Sequence, residues 1–213
     1  MKKTPLRIVM AQPEVNKYLI RKMTRYYRYL SEQLSFGVKS ISSIKLAKLM
    51  DVSPSQVRQD FNRLTYGGQH GVGYDVEMLI QNIVKLLNFE KPKNIIIVGA
   101  GNLGQSLCNY DWIRKCGFVI NAFFDINPRL EGAVICGIPV HPMEGIVDYI
   151  EENNIIAAIL SIPTESTKKV AHMLYDCGIR LFLNFNQVFF DFGDDVYIEN
   201  VHMDDNLMML SYM

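Results

Sequence analysis

Ile95-Ile96-Ile97-Val98-Gly99-Ala100-Gly101-Asn102-Leu103-Gly104 is the stretch around which the rest of the chain is organised. Four consecutive aliphatic residues predict a short strand buried on both faces, running directly into a glycine turn. Gly99, Gly101 and Gly104 have the G-x-G-x-x-G spacing of a dinucleotide site. In such a site the first glycine permits the turn and the second lets backbone approach a pyrophosphate. The third lets the next helix pack on the strand with its N-terminus facing the phosphates. The flanks agree: Pro92 and Asn94 punctuate before the strand, a helix-compatible run covers Asn102 to Cys116, and a second strand from Phe118 to Phe124 ends in Asp125. That carboxylate lies 21 residues beyond Gly104, close to the distance at which an acid bonds the ribose hydroxyls of NAD. A CoA-type or nucleotide-free use of the same βαβ unit is the alternative.

Downstream, the pattern continues as strands and helices in alternation. Asn127-Pro128 marks a turn, Ile138 to Val140 a strand, Met143 to Asn153 a helix and Ile155 to Leu160 another buried strand. After Pro163 comes a helix from Glu165 to Cys177, then a strand from Leu181 to Leu183 with Asn184 at its end. Ligands in sheets of this kind sit beyond the strand ends, which makes Pro163 and Asn184 candidates for the nicotinamide side. Cys108, Cys116, Cys136 and Cys177 are widely spaced, with no C-x-x-C, and predict plain thiols with neither zinc nor a disulfide framework.

Upstream, the composition changes. Overall the chain has 213 residues, 49% hydrophobic, and no net charge. Residues 1 to 80, however, hold 13 Lys and Arg against 6 Asp and Glu, while residues 81 to 213 hold 9 against 16. A basic third joined to an acidic remainder predicts that the first part meets a polyanion. No apolar run is long enough to span a bilayer and Met1-Lys2-Lys3 does not lead into a signal peptide, so no membrane partner and a cytoplasmic location are expected.

The basic third opens with a helix from Glu14, its apolar face Leu19, Met23, Tyr26 or Tyr27, Leu30 and Leu34, with Arg21, Lys22, Arg25 and Arg28 riding on it and Gly37 placed to end it. Ser42 or Ser43 can cap a short second helix with Leu46, Leu49 and Met50 inward. Asp51 and Val52 make a tight turn, Ser53 is an N-cap candidate and Pro54 takes the first helical position. In the third helix Val57, Phe61 and Leu64 face inward. Ser55, Gln56, Arg58, Gln59, Asn62 and Arg63 face outward, a surface rich in hydrogen-bonding groups and nearly free of acid, as a helix in a major groove requires. Helix, tight turn and polar helix form a helix-turn-helix. Gly67-Gly68-Gln69-His70-Gly71-Val72-Gly73 has neither a feeding strand nor a Walker lysine and reads as a wing, with Gln69 and His70 able to touch phosphate. The expected DNA contacts are Ser43, Ser53, Ser55, Gln56, Arg58, Gln59, Arg63, Gln69 and His70. A further amphipathic helix, Tyr74 to Leu87, links this module to the nucleotide strand.

A hydride-transfer enzyme would need a proton donor at the nicotinamide. No Tyr-x-x-x-Lys follows the glycine loop: Tyr110 is followed four residues later by Arg114, Tyr149 by Asn153 and Tyr175 by Ile179. His141, His172 and His202 have no carboxylate partner in sequence, and no substrate domain follows the sheet. The expectation is a binding protein with no catalytic residue.

Ile41-Ser42-Ser43, Leu46-Ala47, Val52-Ser53-Pro54-Ser55-Gln56-Val57-Arg58-Gln59-Asp60, Gly71-Val72-Gly73-Tyr74-Asp75-Val76 and Val98 to Gly104 closely resemble the Rex family of redox-sensing transcriptional repressors, in order and over nearly the whole chain. The resemblance implies an α/β protein with an N-terminal winged helix-turn-helix DNA-binding domain at 1–80. A Rossmann-like NAD(H)-binding domain at 81–200 and a domain-swapped C-terminal tail helix at 201–213 would follow. It implies a homodimer on inverted-repeat double-stranded operator DNA, with NADH releasing the DNA and NAD⁺ permitting binding. In the tail Met203, Leu207 and Leu210 share one helical face. The family's interdomain linkage joins an arginine of the first helix, a tyrosine after the glycine loop and an aspartate entering the tail. Arg28 and Tyr110 match the first two, and His202 stands at the third, with Asp204 two residues on. Leu64-Thr65 replaces the family's aromatic-glycine pair.

Overall fold

The computed structural model describes residues 17–62 and 73–212, and these divide between two compact units, Met1–Glu90 and Lys91–Met213. In the first unit, α1 (Lys17–Ser35) is followed by β1 (Ser40–Ile41), α2 (Ser43–Met50), α3 (Pro54–Asn62), β2 (Tyr74–Asp75) and α4 (Val76–Leu86). Local chemistry accounts for the boundaries. Ser42 Oγ accepts from Lys45 N at 3.1 Å to cap α2, and Ser53 Oγ accepts from Gln56 N at 3.2 Å ahead of Pro54, each cap contributing about 1 kcal/mol. Between them Asp51 takes a left-handed conformation, φ 55°, which turns the chain sharply enough to pack α3 on α2. Met23, Tyr26 and Leu30 of α1, Leu46 of α2, Val57 and Phe61 of α3 and Leu79 and Ile83 of α4 close into one core.

Tyr74 and Asp75 depart from the helix expected there. They pair antiparallel with Ile41 and Ser40, because the Tyr74 ring is drawn into the core against Phe61, 5.2 Å between centroids. Asp75 then caps α4 by accepting from Met78 N at 2.8 Å. Of the four basic residues riding on α1, Lys22 is buried, while Arg21, Arg25 and Arg28 are exposed.

The second unit contains β3 (Lys93–Val98), α5 (Asn102–Cys108), α6 (Asp111–Lys115), β4 (Phe118–Asp125), β5 (Val134–Ile135), β6 (Ile138–Pro142), α7 (Ile146–Glu152), β7 (Ala157–Leu160), α8 (Thr164–Asp176), β8 (Leu181–Asn184), β9 (Tyr197–Asn200) and α9 (Met203–Tyr212). Seven strands run in the order β5-β6-β4-β3-β7-β8-β9, all pairings parallel except β5 with β6. Ile96 and Val98 of β3 enter the core shared with α7 and α8, while Ile95 and Ile97 enter the core on the opposite face. This is the buried central strand that the aliphatic run predicts. The chain order reverses at β3, which is flanked by β4 and β7, and this is where open α/β sheets bind ligands.

Three features of this unit differ from expectation. The helix expected over Asn102–Cys116 is broken, since Tyr110 is extended (φ −87°, ψ 95°) between α5 and α6. An edge strand, β9, extends the sheet beyond β8. Cys108 and Cys136 are joined in a disulfide, leaving Cys116 and Cys177 as free thiols. The pairing was invisible in the spacing because α5 and the β5–β6 hairpin approach one another only through the fold.

Candidate nucleic-acid interface and dinucleotide loop

On α3, Val57 and Phe61 are fully buried, and Ser55, Arg58 and Gln59 are exposed. The helix therefore offers one polar face, as its periodicity requires. Ser53 is exposed at its start and Ser43 is half-buried at the start of α2. Arg58 Nη1 donates to Ser43 Oγ at 3.3 Å, tying the two helices together at this surface. Arg63, Gln69 and His70 lie outside the described residues.

Beneath the face lies a buried polar cluster centred on Asp60, which is 2% exposed. Its Oδ2 accepts from Lys22 Nζ at 2.9 Å and from the Tyr26 hydroxyl at 3.3 Å, and its Oδ1 accepts from Gln56 Nε2 at 2.9 Å. Burial, with the Asp60 charge beside it, pushes the Tyr26 phenol far above its ordinary pKa, so it remains a donor. A carboxylate can only accept, which fixes the Gln56 amide with nitrogen toward Asp60 and oxygen away from it. The helical period does place both on inward faces, Lys22 three residues after Leu19 and Asp60 three after Val57; sorting residues by polarity alone missed the cluster, because neither is apolar.

In the second unit Gly99 adopts φ 102°, and a Cβ there would lie 2.5 Å from Ser161 O. A Cβ at Gly104 would run into Gly99 O. Both glycines are thus required by the protein itself. Gly101 is not: nothing lies within 4 Å of its Cβ position. A glycine that no protein neighbour demands, just ahead of the N-terminus of α5, fits a backbone that a pyrophosphate approaches closely. Ala100 and Gly104 are buried, while Asn102 is exposed and Leu103 half-buried on the first turn of α5.

The loop is held from three sides. Asp125 Oδ2 accepts from Ala100 N at 2.7 Å and its Oδ1 from Asn127 N at 2.8 Å. Gln105 Nε2 donates to Ala100 O at 2.7 Å, and Ser161 Oγ lies 3.1 Å and 3.0 Å from the carbonyls of Val98 and Gly99. Ser161 and Gln105 carry no sequence signal for this part. Asp125 therefore braces the glycine turn, a contact the ribose reading did not anticipate, though each carboxylate oxygen keeps a second lone pair.

Pro163 is exposed at the start of α8, following Ser161 at the mouth of the switch point. Asn184 is fully buried, and its Nδ2 contacts Asn186 O, Val188 O and Asn200 Oδ1 at 2.8–3.1 Å while its Oδ1 accepts from Asn186 N. Its amide is committed to shaping the loop after β8 and joining it to β9.

Tyr110 is 56% exposed. It borders an apolar groove of about 370 Å³ on the sheet face, with Ile95, Trp112, Ile159, Leu183 and Tyr197. His202 lies beside Phe189, 5.6 Å between rings, and the nearby Asp204 carboxylate accepts from Gln187 Nε2 at 2.8 Å. Arg28 is exposed on α1. Among the described residues there is no group of three or more His, Cys, Asp or Glu that could hold a metal, and no helix long and apolar enough to cross a membrane.

Residues 15–62 match the family model described as "Putative DNA-binding protein N-terminus", and residues 90–188 the model described as "CoA binding domain". The chain is 44% identical over 199 residues to the redox-sensing transcriptional repressor Rex of Thermoanaerobacter pseudethanolicus (strain ATCC 33223 / 39E), covering 93% of this chain and 89% of the relative. To the protein of the same name from Clostridioides difficile (strain 630) it is 37% identical over 205 residues, covering 96% and 98%. The chain belongs to the Rex family. A Rex-family repressor, RSP, has been solved with β-NADH, at 42% identity, TM-score 0.84 and 93% of each chain covered. It has also been solved with β-NAD⁺ and operator DNA, at 44% identity and TM-score 0.84, over 93% of this chain and 91% of RSP. The Rex fold thus places a helix-turn-helix unit and a dinucleotide-type sheet on one chain, and the CoA-type description covers the same βαβ module.

Proposed function

We propose that this Rex-family chain is a redox-sensing transcriptional repressor that binds inverted-repeat operator DNA as a homodimer and is released from it by NADH, with no catalysed reaction. The observation that carries the reading is the pairing, on one chain, of the polar α3 face with a glycine loop whose Gly101 no protein atom requires. Ser53, Ser55, Gln56, Arg58 and Gln59, with Ser43, would meet base edges and phosphates, and Arg63, Gln69 and His70 are assigned to the same surface from the sequence. Gly99 to Gly104 would hold the pyrophosphate, Asp125 would reach the ribose, and Pro163 would border the nicotinamide. Double-stranded DNA as partner implies a cytoplasmic location.

A second copy is supported by exposed apolar surface. Leu207, Met208 and Leu210 of α9 are 63–71% exposed, and the groove beside Tyr110 leaves apolar sheet uncovered. A tail helix from the partner subunit offers cover for such surface. Arg28, Tyr110 and His202 are assigned to the linkage that differs between redox states. When bound, the cofactor supplies a charge difference, its nicotinamide ring being cationic in NAD⁺ and neutral in NADH. An apolar cleft favours the neutral ring, and a ligand shifts a two-state equilibrium only by such differential affinity. Coupling of about 1–3 kcal/mol changes operator affinity about 5- to 150-fold.

The test is titration of inverted-repeat DNA at fixed salt with saturating NAD⁺ or NADH. Weaker binding with NADH is expected. Equal affinity in both removes the redox response. Absence of specific binding, together with turnover of NADH on a small carbonyl substrate, would replace this reading by an oxidoreductase.

A further inference from the structure

We propose that Cys108 and Cys136 form a reversible dithiol–disulfide site through which hydroperoxides act on the turn that carries Tyr110. Cys108 is the last residue of α5, and Cys136 is the first of the two residues joining β5 to β6. Their Cα atoms are 6.4 Å apart and their sulfurs are bonded, although 28 residues separate them in sequence.

The placement of Cys136 is not explained by turn chemistry or by packing. Cys136 and Gly137 have φ 54° and 79°, the signature of a type I′ hairpin turn, which favours Asn, Asp or Gly at the first position. A cysteine is a poor choice there, and Cys136 is exposed, so it fills no core. What it has is a sulfur within bonding reach of Cys108, itself 6% exposed. An accessible thiol beside a buried one is the arrangement of a first-oxidised and a resolving cysteine.

The site lies on the path between the proposed cofactor loop and the proposed switch tyrosine. Helix α5 spans only Asn102–Cys108, with the glycine turn at its start. Asn109 and the extended Tyr110 follow Cys108 directly. With the bridge formed, this end of α5 is covalently fixed to the β5–β6 hairpin. With two thiols it is held by non-covalent contacts, among them that of Cys136 Sγ with Asn109 Oδ1 at 3.2 Å.

The chemistry balances with a hydroperoxide as oxidant. The Cys136 thiolate attacks the peroxide, the O–O bond breaks, and an alcohol or water leaves with a proton as the sulfenic acid forms. Cys108 sulfur then attacks the sulfenic sulfur, the S–S bond forms and water leaves with the second thiol's proton. Two thiols are oxidised by two electrons, the hydroperoxide is reduced, and a dithiol reductant reverses the change.

The bridge holds the Tyr110 turn in one arrangement, whereas release of DNA requires two, so more NADH is needed to release operator from the oxidised protein. This consequence rests on the proposed redox response; the thiol site itself does not. The full chain is reduced, freed of reductant and exposed to hydrogen peroxide, and its thiols are counted by alkylation. Four alkylatable thiols, the chain's full cysteine complement, are expected to fall to the two of Cys116 and Cys177 and to return with a dithiol. Cys136→Asn, which suits the turn and removes the sulfur, should keep three thiols in both states. The NADH concentration for half-release should rise about fivefold or more on oxidation, and stay constant in Cys136→Asn. Four thiols surviving peroxide overturn the site. Pairing with unchanged release, or with release at lower NADH, overturns its regulatory role. If NADH releases nothing even from reduced protein, the redox-repressor reading fails while the thiol count still decides the site.

Discussion

Replacing Asp60 by alanine removes the carboxylate that accepts from Lys22 Nζ at 2.9 Å, and takes a partner from Tyr26 and Gln56 as well. The side chains of Lys22 and Asp60 are 9% and 2% exposed, so the stranded ammonium has little water to turn to. Breaking a buried pair from one side costs about 3–5 kcal/mol, a large share of the roughly 5–15 kcal/mol that holds a domain folded. At about 4–8 °C per kcal/mol for a unit of this size, the thermal transition of the N-terminal unit should fall by at least about 12 °C. Lys22→Met with Asp60→Leu removes both charges and should regain most of that loss, since a buried ion pair replaced by apolar residues of similar volume is often neutral. Far-UV circular dichroism during urea unfolding follows both units, while the fluorescence of Trp112, the chain's single tryptophan, follows the second. Only the transition of the first unit should move. A loss below about 1 kcal/mol for Asp60→Ala, or a double variant no more stable than the single one, would refute the view that Asp60 neutralises a buried lysine beneath the recognition face.

Two further predictions address the binding surfaces. Arg58→Ala should weaken operator binding by about 1–3 kcal/mol and reduce its salt dependence if a phosphate is among its contacts; unchanged affinity and slope would mean that α3 does not lie in the groove. Gly101→Ala should leave stability within about 0.5 kcal/mol because its Cβ meets nothing within 4 Å, yet weaken NADH binding measured by calorimetry. Gly104→Ala, whose Cβ would meet the Gly99 carbonyl, should destabilise the second unit by about 1–3 kcal/mol. If Gly101→Ala binds NADH normally, the pyrophosphate does not approach that backbone.

What was legible in the sequence was local. The run Ile95–Val98 had to be a buried strand because no face of it is polar, and the glycine spacing after it encodes a turn in which the demand at Gly104 comes from Gly99, five residues earlier, whereas the demand at Gly99 comes from Ser161, brought alongside by the sheet. The caps at Ser42 and Ser53, Pro54 at the first helical position and the 3.6-residue period of Val57 and Phe61 likewise specify the helix-turn-helix and its polar face from near neighbours alone. Tertiary structure decided whatever depends on partners distant in sequence. Lys22 and Asp60 fall on the inward faces of their helices, but only the packing of α1 on α3 brings them together and excludes water between them. Asp125 could be placed near a ribose by counting residues, but only the parallel pairing of β3 with β4 brings its carboxylate to Ala100 N. The same pairing logic commits the Asn184 amide to the β8–β9 connection, and it sets Cys108 against Cys136. A side chain's periodicity records which face of its element it occupies. What stands opposite that face is set by chain topology, and burial and electrostatics then determine what the contact contributes.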